Sequence, residues 1–236
     1  MDVKSHWEHT FAAKSPAQTS WYTPHLQHSI RWIEESGLPK TAAILDVGAG
    51  RSTLIDDLLV RGYTDLTALD ISESALAEVR QRLGHRADSV TWITGDVRTF
   101  PLPPGRYDLW HDRALFHFLT EPAQRDQYLD QIKRALKPGG LVILSTFGPE
   151  GPVQCSELAV CRYDRALLAA TFGQGFILHE RRWSRTRLRP ANRSSFSMRA
   201  SSVRLIDRAR EPLYDEWSTS IPCGALPPLL CPLVQW

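Results

Sequence analysis

Five places in this chain combine residue types and spacing that could do chemistry. Ile44-Leu45-Asp46-Val47-Gly48-Ala49-Gly50 is an apolar run with one carboxylate, ended by two glycines. Glycine lets a backbone approach a ligand that a Cβ would hold off. Asp70 stands twenty residues after Gly50, with Ile71 beside it. A carboxylate at that spacing can accept two hydrogen bonds from a ribose diol, which indicates an adenosine-containing ligand without saying which one. Gly95-Asp96-Val97 follows another apolar stretch, and a carboxylate there can accept an adenine amino hydrogen. His111-Asp112 and, a few positions on, His117 are candidate bases or orienters for an acceptor that must shed a proton. Each has a plainer reading: His111 as a loop cap, His117 as a core side chain.

These residues need elements to position them. Leu26, Ile30 and Ile33 sit at helical spacing, and Gly37-Leu38-Pro39 ends that helix. Ala42–Val47 reads as a buried strand that runs into the glycine turn, and Ser52 caps a helix that reaches about Val60. A strand at Leu66–Leu69 ends at Asp70, and Ser72 caps a helix through Leu83. Val90–Thr94, Tyr107–Trp110 and Leu141–Phe147 read as further strands. Glu121–Leu136 reads as a helix closed by Pro138-Gly139-Gly140. A helix near Asp164–Ala170 and a strand at Phe176–Glu180 complete the series. Alternating strand and helix predicts an α/β, Rossmann-like, doubly wound and mostly parallel sheet. Ligands of such sheets bind at the carboxyl ends of the strands, where all five places fall.

The third glycine of a dinucleotide fingerprint is absent, because Thr53 stands there, and the Gly95-Asp96-Val97 run is extra. At this point the chain resembles the class I S-adenosylmethionine-dependent methyltransferases over roughly residues 1–183. ILDVGAGRST looks like motif I, Asp70 the ribose acid, GDV the adenine motif and LKPGGLVILSTF the late motif. The resemblance implies S-adenosylmethionine as cofactor. It implies Gly48 and Gly50 along the methionine part, Asp46 orienting the amino acid end, Asp70 with Ile71 at the ribose, and Asp96 with Val97 at the adenine. It also implies a transferase whose methyl displacement depends mainly on alignment and dehydration. SWYTPH, YDLWHDRALFHFLTEP and GPVQCSELAVCRYD resemble a bacterial methyltransferase group with a WHDRA-type motif. That group is similar to seven-strand protein-lysine methyltransferases carrying Asp-Lys-Gly-Thr after the fourth strand. Here that place reads Asp112-Arg113-Ala114-Leu115, so only the aspartate matches. The acceptor, protein lysine or small molecule, stays open. Trp7, Trp21 and Tyr22 read either as a lid over the cofactor or as packing of an N-terminal arm.

His6-x-Glu8-His9 and His25-x-x-His28 lack a third zinc ligand nearby, so no metal is expected. Cys155 and Cys161 read as a plain thiol pair rather than a soft-metal site. A non-catalytic module that binds the cofactor and acts through a partner is a rival reading, and turnover separates the two. An RNA methyltransferase is the other alternative.

Length and composition bound the rest. The 236 residues are 42% hydrophobic and 23% charged, near the globular average, which excludes wholesale disorder and coiled coil. No apolar run reaches the roughly eighteen residues of a membrane span, and MDVKSHWEHTF lacks the apolar core of a secretory signal. Four cysteines fit a reduced, cytoplasmic setting. The organisation expected is an arm over 1–24, a methyltransferase domain over 25–183 and an irregular tail over 184–236. The tail holds eight Arg, no Lys and six Pro, with a balance of +4 that leaves −2 for the body. That body offers no basic face by composition, which argues against nucleic acid. Permitted codons for Asn192–Ser201 regroup, one frame over, into Pro-Gln-Gln-Phe-Leu-Tyr-Ala-Arg-Phe, a strand of the kind that closes this sheet. A lost reading frame between about Trp183 and Arg189 would explain the tail. It predicts a missing or disrupted final strand, with no long strand beside Leu141–Phe147.

Overall fold

The computed structural model describes residues 2–19, 21–188 and 196–207. Helix α1 (Val3–Ala13) forms the arm, and α2 (Gln27–Glu35) leads into the sheet. There follow β1 (Ala43–Val47), α3 (Leu54–Val60), β2 (Asp65–Asp70), α4 (Glu73–Leu83), β3 (Val90–Thr94) and β4 (Tyr107–Arg113). Then come α5 (Pro122–Ala135), β5 (Leu136–Phe147), a small hairpin of β6 (Gln154–Cys155) and β7 (Leu158–Ala159), α6 (Arg165–Phe172), β8 (Phe176–Leu188) and β9 (Phe196–Asp207). The main sheet runs β3-β2-β1-β4-β5-β9-β8. Its first five strands are parallel, so the expected Rossmann-like α/β sheet is present. Strand order reverses at β1, and the crevice between β1 and β4 is where such folds take ligands.

Side-chain alternation builds the two faces. Leu45, Val47, Trp110, Val142 and Leu144 point to a core shared with Tyr128 and Ile132 of α5 and Leu168 and Phe172 of α6. Ile44, Leu109, Leu141 and Ile143 point the other way, into a core with Ile30 and Ile33 of α2, Leu54 and Leu58 of α3, and Leu76 of α4. Central parallel strands buried on both faces read as continuous apolar runs, which is why β1 was legible. Local signals hold elsewhere: the Ser72 hydroxyl accepts from Ala75 N at 3.2 Å and caps α4. Pro122 starts α5 behind a capping box of Glu121 and Gln124.

Three expectations change. Helix α3 begins at Leu54 with Thr53 at its N-cap, and Ser52 Oγ reaches only Leu54 N, at 3.1 Å. Pro138-Gly139-Gly140 does not stand as a turn before the strand but inside β5. A register shift between Tyr107 and Leu109 absorbs it, and Gly139 adopts φ +77°. The largest correction concerns the tail. β8 continues to Leu188, and β9 is a regular antiparallel strand inserted between β5 and β8. Its register runs from Leu141↔Ile206 to Phe147↔Ala200 on one side and from Phe176↔Asp207 to Leu188↔Phe196 on the other. The expectation of a missing final strand is therefore overturned. An open edge on β5 leaves backbone donors and acceptors unpaired, and the Phe196–Asp207 stretch, which holds no proline, can pair with it in the frame as written. The six prolines counted against a strand all lie outside it, and residues 208–236 lie outside the described residues.

Candidate active site

The glycine turn lies between the end of β1 and α3. Gly48 and Gly50 take φ of +63° and +48°, the left-handed region that costs any other residue a steric penalty. Both are also crowded. A Cβ on Gly48 would meet the Leu115 side chain at 2.8 Å, and one on Gly50 would meet the Phe11 ring at 3.1 Å. The turn thus lies beneath the loop after β4 on one side and beneath the arm on the other.

Around it, the strand ends deliver three carboxylates to one cavity of about 410 Å³. Asp70, at the end of β2, accepts from Gly50 N at 2.7 Å through Oδ2 and from Ser72 N at 2.8 Å through Oδ1. Each oxygen keeps a lone pair free. Burial pushes its pKa up to about 6, against the two backbone bonds that favour the charged form; Asp46 and Glu8 push it up further. Asp96, after β3, holds Arg98 in a paired contact of 3.0 Å, and Val97 beside it is buried in the wall. Burial raises the Asp96 pKa, but the Arg98 contact outweighs it and leaves the carboxyl below its usual range. Ile71 also lines the cavity.

Asp46 is 2% exposed, and its Oδ1 is 2.6 Å from His111 Nδ1. His111 Nε2 lies 2.8 Å from the Ser29 hydroxyl on α2. A ring that donates from Nδ1 to the carboxylate accepts at Nε2 from the serine, so both nitrogens are occupied. Asp46 Oδ2, in contrast, is buried without a partner. A buried carboxyl oxygen without a partner, on a residue that lines the cavity, calls for a cationic or N–H donor from a ligand.

Asp112 is not in the cavity wall. It is fully buried and accepts from Leu115 N at 2.9 Å, Phe116 N at 3.1 Å and Tyr128 Oη at 2.6 Å. Tyr128 accepts in turn from Trp110 Nε1 at 2.9 Å. Burial lifts the Asp112 pKa to about 6 against these donors. Of the two readings of Asp112, base or orienter, this geometry favours the orienter, since its oxygens accept from the loop that follows β4. That loop is strained: Ala114 has φ +74°, a conformation that costs a non-glycine residue about 1–3 kcal/mol. Asp112 and the Ala114 N–H, donated to Ser145 O at 2.9 Å, hold it there.

His117 does line the cavity. It is 1% exposed, stacks on Phe147 at 4.4 Å, and neither ring nitrogen has a hydrogen-bond partner. Burial pulls its pKa down to about 3, so the imidazole is neutral. A buried polar group left unmet costs about 1–3 kcal/mol.

Trp7, Trp21 and Tyr22 all border the cavity, as a lid would. Sequence reasoning missed what ties the arm down. Glu8 accepts from Glu73 N at 2.7 Å and from the Ser72 and Ser74 hydroxyls, over the start of α4. Arg51 donates to Phe11 O and Lys14 O at 2.5 Å each and pairs with Glu78; Arg113 donates to Trp21 O at 2.9 Å. In the sequence Glu8 stands only within a candidate metal motif, Arg51 and Arg113 stand within motifs that give them no tie to the arm, and no local pattern marks Ser29 or Tyr128.

Comparison with known proteins agrees with this geometry. A family described as "Methyltransferase domain" matches residues 44–140. The EEF1A lysine methyltransferase 4 of Mus musculus is 30% identical over 164 residues, which is 64% of this chain and 63% of that protein. Its Bos taurus counterpart is 27% identical over 188 residues, 74% of this chain and 72% of that one. The chain therefore spans less than two thirds of the mouse relative. Among solved structures, the Burkholderia thailandensis 1,6-didemethyltoxoflavin-N1-methyltransferase, with S-adenosylhomocysteine bound, superposes with a TM-score of 0.67 at 20% identity and covers 87% of each chain. Residues 44–140 thus match a methyltransferase domain, and the order of the sheet is that of a solved methyltransferase fold.

Proposed function

We propose that the protein transfers a methyl group from S-adenosylmethionine to an acceptor, a protein lysine or a small molecule, that enters the same cavity beneath the arm. The observation that carries this reading is the convergence of Gly48, Gly50, Asp70 and Asp96 from three successive strand ends on one cavity. The residues fit the cofactor: cradles without a Cβ at Gly48 and Gly50, the unpaired Asp46 Oδ2 for an ammonium, the free lone pairs of Asp70 for a diol, and Asp96 with Val97 for a base. When bound, S-adenosylmethionine supplies an electrophilic methyl on a sulfonium. This chain's own residues do the rest. His111 and Ser29 orient Asp46, Asp112 fixes the loop that packs Leu115 on the turn, and Trp7, Trp21 and Tyr22 keep water out. Asp112 and His111 thus act as positioning residues, and His117 is left to meet the acceptor. The WHDRA-type sequence Trp110-His111-Asp112-Arg113-Ala114 supports assignment to the bacterial group that carries it.

Asp70→Ala tests the cofactor reading. Two hydrogen bonds to a charged acceptor are worth roughly 1.5–3 kcal/mol each, so S-adenosylmethionine should bind at least about tenfold more weakly to a still-folded protein. Calorimetry that found equal affinity in both proteins would move the ribose elsewhere. Radiolabelled methyl transfer into fractionated lysate separates a catalyst from a mere binding module, and protein from small-molecule products.

A further inference from the structure

The wall of the cavity contributed by the arm, the loop after β4 and the β6–β7 hairpin differs from the wall built by the strand ends. Trp7 meets Phe118 edge-on at 5.1 Å and Trp21 edge-on at 6.3 Å, and His117 stacks on Phe147 at 4.4 Å and lies tilted to Phe118, also at 4.4 Å. Leu158 of the hairpin adds to the same lining. The only acids among the described residues of the lining are Asp46, Asp70 and Asp96. All three stand at the ends of cofactor strands and are engaged there. The rest of this end carries no acid among its described residues: beside Thr120, Gln124 and Thr146 it presents aromatic surface and the His117 imidazole with two unmet nitrogens.

We propose that this aromatic end is an acceptor subsite for a small, flat, uncharged aromatic or heteroaromatic molecule that donates an N–H or O–H to His117. The proposal rests on the methyltransferase reading and narrows its acceptor class. Three features select the ligand. Aromatic side chains in edge-on and stacked arrangements favour a planar guest. A neutral imidazole with both nitrogens unmet offers a lone pair to a neutral donor, this end has no carboxylate among its described residues to hold a lysine ammonium, and the proton released on methylation passes to solvent water. The arm closes the site by its ties through Glu8, Arg51 and Arg113, so a polypeptide would have to lift it, whereas a small molecule fits beneath.

The test is calorimetry on the full chain saturated with S-adenosylhomocysteine, with indole, 1-methylindole and benzylamine as probes. Indole and 1-methylindole share shape and differ in the N–H, and one neutral hydrogen bond is worth about threefold to tenfold in affinity. Indole should bind about that much more tightly than 1-methylindole, and benzylamine, charged at neutral pH, more weakly than either. In His117→Phe, which keeps the stacking ring, the preference should vanish while S-adenosylhomocysteine affinity is unchanged. His117→Asn keeps an acceptor and should retain part of the preference. Equal binding of the two indoles to the unaltered protein overturns the subsite, and so does a preference for benzylamine or for a lysine peptide. Failure of S-adenosylhomocysteine to bind would strike the cofactor reading instead. Indole titrated into the free protein would then still report on the subsite.

Discussion

At the scale of single residues, the site separates carboxylates that face the ligand from one that builds the wall. Asp70 keeps free lone pairs on the cavity, whereas Asp112 spends its oxygens on Leu115, Phe116 and Tyr128. Each buried donor left unmet costs about 1–3 kcal/mol, so Asp112→Asn, which presents an amide to Leu115 N, Phe116 N and Tyr128 Oη, should lower stability by roughly 2–4 kcal/mol and lower turnover only as a consequence. The pH dependence has a definite sign. The folded pKa of Asp112 is raised to about 6 from 3.8, so its contribution is fully present below about pH 4 and lost as pH rises through 6. The stability deficit of Asp112→Asn should therefore be larger at pH 4.5 than at pH 7, as read by denaturant titration at each pH. An unchanged melting temperature with turnover down about a hundredfold would restore Asp112 as a base.

At the scale of elements, the arm and helix α4 act as one unit. Glu8 on α1 places a carboxylate at the N-terminus of α4, where backbone donors and the helix dipole favour negative charge. Burial works against the charged form, but the bonds from Ser74, Glu73 N and Ser72 outweigh it and hold the pKa below the usual carboxylate range. The latch is therefore present at neutral pH and weakens as pH falls through that lowered value. Glu8→Ala should cost about 1 kcal/mol, as the loss of a helix cap does, and shift the melting temperature by about 2–4 °C. More telling is the arm itself: tryptic cleavage at Lys14 and release of S-adenosylhomocysteine should both speed up. Unaltered cleavage and release would mean that Arg51 and Arg113 hold the arm unaided.

At the scale of the whole molecule, the sheet closes through a segment that composition alone makes look foreign. β9 covers the edge of β5 over seven paired positions and gives β8 its only neighbour among the described residues. Ending the chain before Phe196 should expose both edges, lower the melting temperature and promote aggregation, since an apolar open edge invites pairing with other chains. Scanning calorimetry and light scattering on the two lengths decide it. A shortened protein as stable and as soluble as the full one would show that β9 adds nothing, and would favour the shifted reading frame as the source of the last strand.

Much of the fold was legible because its signals are local. The apolar run of β1, the glycines at Gly48 and Gly50 and the cap at Ser72 each depend on a few neighbours along the chain. Parallel strands then bring Asp46, Asp70 and Asp96 to one end, so the acidic side of the cavity follows from topology. Tertiary structure alone decided the partners. Ser29 meets His111 across 82 positions, Tyr128 claims Asp112 and Glu8 reaches Ser74 across 66, none at a spacing that a helix or strand period could signal. For the same reason the tail was misjudged: proline and arginine counts describe the segment, but a strand is stabilised by the edge it finds. Residue types and their periods determined the sheet and the loops at its strand ends. Which side chain stayed free to act was decided by packing between distant segments, which left His117 unpaired in the wall and buried Asp112 behind it.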